Sequence, residues 1–244
     1  MNIKESPFGE EFKVLIRERI KNFWGYGNLN SPYWFIGMEE GYSEENEVLL
    51  DRFTATSHQQ ICDIYDDLKV DPGHLYWFEE GAPIQRTWRR LIEMMLYSEN
   101  RAHPDKESIR RFQIEQLGRK KSNHALLELM PLPSKSIAEK HWLYADSGVE
   151  GLSSRKEYLE TYKDERIEAL RSLIELHKPK YVICYSLSYQ EDWQKLTDAP
   201  FTEVNPRRLY LAKDGETTIA ITPHSVMQGL SNDDWKMIIE EMFL

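Results

Sequence analysis

Three glutamates and one histidine stand where this sequence can do chemistry. Glu39 and Glu40 lie inside Gly37-Met38-Glu39-Glu40-Gly41-Tyr42, directly after the apolar run Tyr33-Trp34-Phe35-Ile36. Glycines on both sides suit a tight turn that brings backbone amides and a carboxylate close to a ligand. Glu128 interrupts the apolar run His124-Ala125-Leu126-Leu127-Glu128-Leu129-Met130. A carboxylate there must be hydrogen-bonded, ion-paired or facing a cleft. His224, in Thr222-Pro223-His224-Ser225, can give or take a proton near neutral pH. Each also has a plainer reading. Glu39 and Glu40 can be two solvated loop acids, Glu128 the partner of a structural arginine (Arg86, Arg89 or Arg90), and His224 a cap on the helix that follows.

The elements that must hold these residues are strands. Four apolar runs, at residues 32–37, 124–130, 181–185 and 218–221, alternate with helical stretches, and each ends at one of the positions above or at Tyr185-Ser186-Leu187-Ser188. Helical spacing marks Phe12, Leu15, Ile16, Ile20 and Phe23, closed by Gly25-Tyr26-Gly27-Asn28. It recurs in Ile61, Ile64, Tyr65 and Leu68, closed by Asp71-Pro72-Gly73, and most clearly from Ile84 to Leu96. A polar helical insertion is expected around 98–122, a long helix over 155–177, and a last helix through Trp235 and Met242 capped by Ser231. Pro131-Leu132-Pro133 is expected to stop the second strand, and Leu209-Tyr210-Leu211 to add an edge strand before the turn Asp214-Gly215. Long connections between short apolar strands imply a parallel sheet covered by helices on both faces. The fold class expected is therefore α/β, a three-layer α/β/α domain over residues 1–244 with a central, mostly parallel four-stranded sheet. In such a sheet, ligands bind beyond the carboxyl ends of the strands.

Composition narrows the function. The 244 residues carry a formal net charge of −10, against non-specific binding to nucleic acid, although Arg119-Lys120-Lys121 and Arg207-Arg208 form local basic clusters. No run of about 18 apolar residues exists, so no membrane partner is expected. No signal peptide is visible, and a cytoplasmic location is expected. The two cysteines, Cys62 and Cys184, form no CxxC, and the seven histidines show no HExxH or HxH spacing, so neither a metal nor another cofactor is expected. No Walker loop, GxGxxG or GxSxG occurs.

Gly37-Met38-Glu39-Glu40-Gly41 after a strand resembles the first motif of the uracil-DNA glycosylase superfamily, Gly-Met-Asn-Pro-Gly in its single-strand-selective branch. Thr222-Pro223-His224-Ser225 resembles the His-Pro-Ser loop after the last core strand, with the His-Pro order inverted, and Gly229-Leu230-Ser231 follows. Glu128 stands where the superfamily has an asparagine that reads the uracil edge, and Glu40 where it has the motif proline. The resemblance spans roughly residues 32–235. It implies a DNA-repair type of activity, hydrolysis of an N-glycosidic bond, with a pocket at the carboxyl edge of the sheet. It implies catalytic roles for Glu39, positioning water or stabilising the sugar cation, and for His224, stabilising the leaving base. Gly37, Met38, Glu40, Gly41, Tyr42, Glu128 and Ser225 are the substrate-binding residues it implies. An ionised Glu128 only accepts hydrogen bonds, so it would reject O4 of uracil and accept the amino group of cytosine or adenine.

Two functions of different kind follow. One is an N-glycosylase-type hydrolase acting on a base in nucleic acid or on a nucleoside. The other is a non-catalytic module that binds a nucleotide or nucleic acid in the same pocket, or a protein-interaction scaffold. The charge around the Glu39 segment separates them: a basic rim favours nucleic acid, an acidic one a small ligand or none.

Overall fold

The computed structural model describes residues 9–41, 46–69, 72–206 and 208–244. Helix α1 (Glu10–Asn22) turns Phe12, Ile16 and Ile20 inward at the expected spacing. It ends at Asn22, and at Gly25 the chain forms a short strand, β1 (Gly25–Gly27), instead of a loop. Gly25 has φ 142°, and a Cβ on it would lie 2.1 Å from the Leu126 carbonyl oxygen, so only glycine lets this strand pack so closely. Strand β2 (Tyr33–Gly41) follows, then α2 (Asn46–Thr56), the short β3 (Ile61–Cys62), α3 (Ile64–Leu68) and α4 (Pro72–Leu75). Next come α5 (Arg86–Asn100) and α6 (Lys106–Glu115), which docks the expected polar insertion through buried Ile109, Phe112 and Gln113.

Strand β4 (His124–Ser134) leads through irregular chain to the long α7 (Arg155–His177), β5 (Tyr181–Tyr185) and α8 (Gln190–Gln194). The chain finishes with β6 (Thr202–Asn205), β7 (Leu209–Asp214), β8 (Thr217–Thr222) and α9 (Asn232–Met242). Ser231 caps α9 as expected: its hydroxyl accepts from the Asp234 N–H while Asp234 accepts from the Ser231 N–H.

The strands form one eight-stranded mixed sheet in the order β3-β1-β4-β2-β5-β8-β7-β6. Its four middle strands, β4, β2, β5 and β8, are mutually parallel and are the four apolar runs of the sequence. The expected four-stranded sheet is thus extended on both sides. The antiparallel β1 and its parallel neighbour β3 lie beyond β4, and the antiparallel β7 and β6 lie beyond β8. Side chains alternate between two buried clusters: Trp34, Ile36 and Met38 join α1, α2 and α7 on one face, while Tyr33 and Phe35 join α5, α6 and α9 on the other. Burial on both faces is why these strands read as unbroken apolar runs.

Two boundaries differ from expectation, and both move the site. Gly37 does not begin a turn; β2 continues to Gly41, with a shift of register between Glu39 and Gly41. Nor do Pro131 and Pro133 stop β4. The pairing of β1 with β4 ends at Leu127, so the prolines fall where β4 has only β2 beside it and no ladder N–H is lost. Side chains satisfy the backbone there. Arg19 Nε donates to the Pro131 carbonyl (2.9 Å), the Tyr144 hydroxyl to the Pro133 carbonyl (3.0 Å), and the Leu132 N–H donates to the Tyr158 hydroxyl (3.2 Å).

Candidate functional site

At the carboxyl ends of β4, β2, β5 and β8 the sheet opens into a cleft of about 470 Å³. Glu39, Glu40 and Gly41 from β2, Glu128 from β4, Tyr185 from β5 and His224 beyond β8 all line it. Trp77, Gln85, Thr87 and Trp88 form part of the wall, and Ser134, Lys135, Ser136 and Ile137 part of the rim. Residues nearly 190 positions apart meet because parallel strands end on the same side.

Glu39 is nearly buried and is held by Arg155, whose Nε lies 3.0 and 3.1 Å from its two carboxylate oxygens. Arg155 opens α7, where its own N–H donates to the Glu139 carboxylate (2.6 Å) and Ser154 caps the helix. Burial raises the Glu39 carboxyl above its ordinary value, and the guanidinium opposes that rise. Glu40 faces the other way along the strand. It accepts from Arg52 Nη2 (2.8 Å) and from the Tyr26 hydroxyl (3.1 Å), and Arg19 Nη2 stands 3.9 Å off. Arg52 is bonded in turn to Asp67 (2.6 Å), as is Tyr26 (2.6 Å). Burial presses the Asp67 carboxyl upward, but Arg52, Arg19 and the Tyr26 hydroxyl bring it below its ordinary value. Two arginines and two carboxylates thus tie α1, α2, β2 and α3 together beneath the cleft.

Among the described residues, no such cation lies against Glu128. Arg89 and Arg90 are taken by Glu93 at 2.9 and 2.5 Å, and Arg86 is exposed on α5, so the expected arginine pairing does not form. Its side-chain partner is the Tyr185 hydroxyl, 3.4 Å from Oε1, and Oε2 is sealed from solvent without a hydrogen bond. Burial, then repulsion from Glu40 and Glu39, raises the Glu128 carboxyl well above the ordinary range. Glu128 therefore holds its proton to higher pH than an ordinary glutamate, and in that protonated form it offers both a donor and an acceptor, unlike the acceptor-only carboxylate considered from the sequence. Gly37 makes room for it: a Cβ there would lie 2.3 Å from the Tyr185 hydroxyl and 2.5 Å from Glu128 Oε2.

His224 is half-buried, its ring edge-on to Tyr185 at 5.6 Å between centroids. The Val226 N–H points at Nδ1 (3.3 Å), which makes Nδ1 the acceptor and leaves the proton on Nε2. Burial lowers its pKa, so the imidazole is neutral at pH 7. Beside it, Ser186 sits at φ 103°, a conformation costly for a residue with a Cβ. It is held by its N–H to the Thr222 carbonyl (3.0 Å) and by the Trp193 indole on its own carbonyl (3.0 Å).

Of the residues expected at the site, Glu39, Glu40, Gly41, Glu128 and His224 line the cleft. Gly37 lies behind it, under Glu128 and Tyr185. Met38 packs into the core on the opposite face because β2 stays a strand and alternates, so it is not a wall of the cleft. Ser225 is buried with its hydroxyl unpartnered and is not among the lining residues. Tyr42 lies outside the described residues. Arg155, Arg52 and the tryptophans were not found from the sequence, whereas Tyr185 stood there as the first residue of a strand-end loop without an assigned role. Among the described residues, no group of His, Cys, Asp and Glu could hold a metal ion, and no helix is long and apolar enough to cross a membrane. No protein-family model matches the chain, and neither a curated protein nor a solved structure is significantly similar to it.

Proposed function

We propose that this chain is a hydrolase of N-glycosidic bonds whose substrate is a nucleoside or nucleotide rather than a polymeric nucleic acid, on a three-layer fold of the uracil-DNA glycosylase kind. The observation that carries the reading is the meeting of Glu39, Glu128 and His224 in one cleft beyond the carboxyl ends of four parallel strands. Breaking the bond leaves positive charge on the sugar and electron density on the departing base. Glu39, paired with Arg155, faces the first and orients the attacking water. The neutral Nε2–H of His224 faces the second. Trp77 and Trp88 supply flat apolar walls of the sort a base stacks on.

The preference for a small substrate rests on charge. Among the described residues, the cations lining the cleft are Arg52, already bonded to Glu40 and Asp67, and Lys135 on the rim, against Glu39 and Glu40. Phosphate chains need more than that. The test is release of free base, followed by chromatography, from a panel of nucleosides, nucleotides and base-containing oligonucleotides. Release from the small substrates and not from oligonucleotides is expected; no release from any of them overturns the reading.

A binding module is the second reading, and one observation favours it: the Arg155 guanidinium already balances the Glu39 charge. That reading requires saturable binding of a nucleotide, seen as a thermal shift, without any turnover.

A further inference from the structure

We infer that Glu128 is the general acid of this cleft, protonating a ring nitrogen of the departing base, and that the substrates are therefore nucleosides of purines or cytosine. The inference rests on the hydrolase reading and adds to it a catalytic residue and a class of leaving group.

Two glutamates on neighbouring strands share the cleft in opposite surroundings. Glu39 has a guanidinium across both oxygens. Glu128 has a tyrosine hydroxyl at 3.4 Å, one oxygen sealed and unbonded, and no ion pair among the described residues. Carboxyls driven apart in this way divide the labour between an anion and a proton donor. The charged and titratable groups that share the cleft with Glu128 are Glu39, Glu40, Tyr185, His224, Arg52 and Lys135. His74 and Tyr26 line it too, the latter bonded to Asp67 and Glu40. Both neighbouring carboxylates repel an ionised Glu128, and Arg52 is turned to Glu40 and Asp67. Arg166 reaches Glu128 only at its main-chain carbonyl (3.2 Å). Burial and the charges of Glu40 and Glu39 favour the protonated form, and the Tyr185 hydrogen bond opposes them without cancelling the rise.

In the step itself, the carboxyl proton of Glu128 passes to the base as the C1′–N bond breaks, and the bonding pair leaves with the base. Water adds to C1′ and gives its proton to the Glu39 carboxylate. Exchange with solvent then returns Glu39 to the anion and Glu128 to the acid. Adenine, guanine, hypoxanthine and cytosine carry a ring-nitrogen lone pair that can take the proton; uracil, with N3 protonated, does not, and leaves as an anion.

The test compares two leaving groups in wild-type protein and E128Q. Adenosine or inosine needs the proton, whereas p-nitrophenyl β-ribofuranoside leaves as a stable phenolate and does not. E128Q is expected to lose about 100-fold or more in kcat/KM on the purine nucleoside, within the range for a lost general acid, and to keep the nitrophenyl activity within a few-fold. The wild-type rate on the nucleoside should fall as pH rises and the acid ionises, with no such limb for the nitrophenyl riboside. Equal loss on both substrates overturns the inference, as does wild-type cleavage of the nitrophenyl riboside with none of any purine or cytosine nucleoside; both leave the hydrolase reading standing. Cleavage of neither overturns that reading and the inference together. E128D, which retains an acid on a shorter arm, should recover part of the nucleoside activity, and its failure in protein that melts like wild type counts against the assignment.

Discussion

Glu39 and Glu128 face one cleft from adjacent parallel strands, and among the described residues a cation lies against the carboxylate of Glu39 and none against that of Glu128. Arg155 stands beside one acid, and the Tyr185 hydroxyl is the hydrogen-bond partner of the other. That asymmetry governs both the chemistry available and the stability as a function of pH.

Glu128 should make the protein less stable as pH rises. Its folded-state pKa is raised well above its ordinary value, so over that interval the native state holds a proton that the unfolded chain has released. Stability then falls with increasing pH through the interval. E128Q, neutral at every pH, should therefore melt above wild type at pH 8, and the gap should shrink toward pH 4. Melts of both proteins across this range decide it. A wild-type advantage that grows with pH would show Glu128 to be ionised and paired.

Arg155 should be needed for stability as much as for Glu39. Removing one partner of a buried ion pair leaves the other uncompensated and costs about 3 kcal/mol. R155A should lower the urea midpoint accordingly, and R155K should recover part, because one nitrogen, Nε, makes both contacts to Glu39 and an ammonium can supply one nitrogen on an arm of different reach. Adding E39Q to R155A should restore most of the loss, since no charge is then stranded. A loss of under about 0.5 kcal/mol in R155A would class the pair with exposed surface pairs.

The core strands were legible because residues such as Trp34, Ile36, Val182 and Ile219 are buried in a parallel sheet and read as continuous apolar runs. The meeting of Glu39, Glu128 and His224 followed from strand polarity alone. What the sequence hid depended on long-range partners. Pro131 reads as a strand terminator, and it is one in a central strand; here Arg19 and Tyr144 take the carbonyls and one neighbour has ended. Gly37 reads as a turn, but its use is to leave space for two side chains that arrive from other strands. Arg155 carried no local signal, being one of many charged residues on an amphipathic helix. The charge state of Glu128 could not be read without knowing that the nearby arginines prefer Glu93, Glu39 and Asp67.

Gly37→Ala should collapse the site with little change elsewhere. Its Cβ would lie 2.3 Å from the Tyr185 hydroxyl, 2.5 Å from Glu128 Oε2 and 2.7 Å from Tyr185 Cζ, so both side chains must shift. Overpacking of this kind costs about 1–3 kcal/mol. Adding Tyr185→Phe removes the nearest of these atoms and should return part of the stability. If G37A melts like wild type and the Tyr185 substitution adds nothing, the close packing of Gly37 against Glu128 and Tyr185 is not real.

Glu39 and His224 should act on rate rather than on affinity. If the chain cleaves an N-glycosidic bond as proposed, the amide of E39Q keeps the shape and an acceptor but loses the charge that would face the sugar as it becomes cationic. An interaction felt only in the transition state appears in kcat, not in ground-state binding. Loss of one such stabiliser costs about 100- to 1,000-fold. Arg155 sharpens the test, because E39Q also leaves that guanidinium unbalanced beside the sugar, where it opposes positive charge; E39Q with R155M should then be faster than E39Q alone. H224A should lose a comparable factor on a substrate that departs as an anion, and less where Glu128 supplies a proton. Burst and steady-state kinetics with equilibrium binding separate these effects. If E39Q and H224A weaken nucleotide binding in parallel and no protein, wild type included, releases base, the cleft is a binding site and Glu39 is there for Arg155 alone.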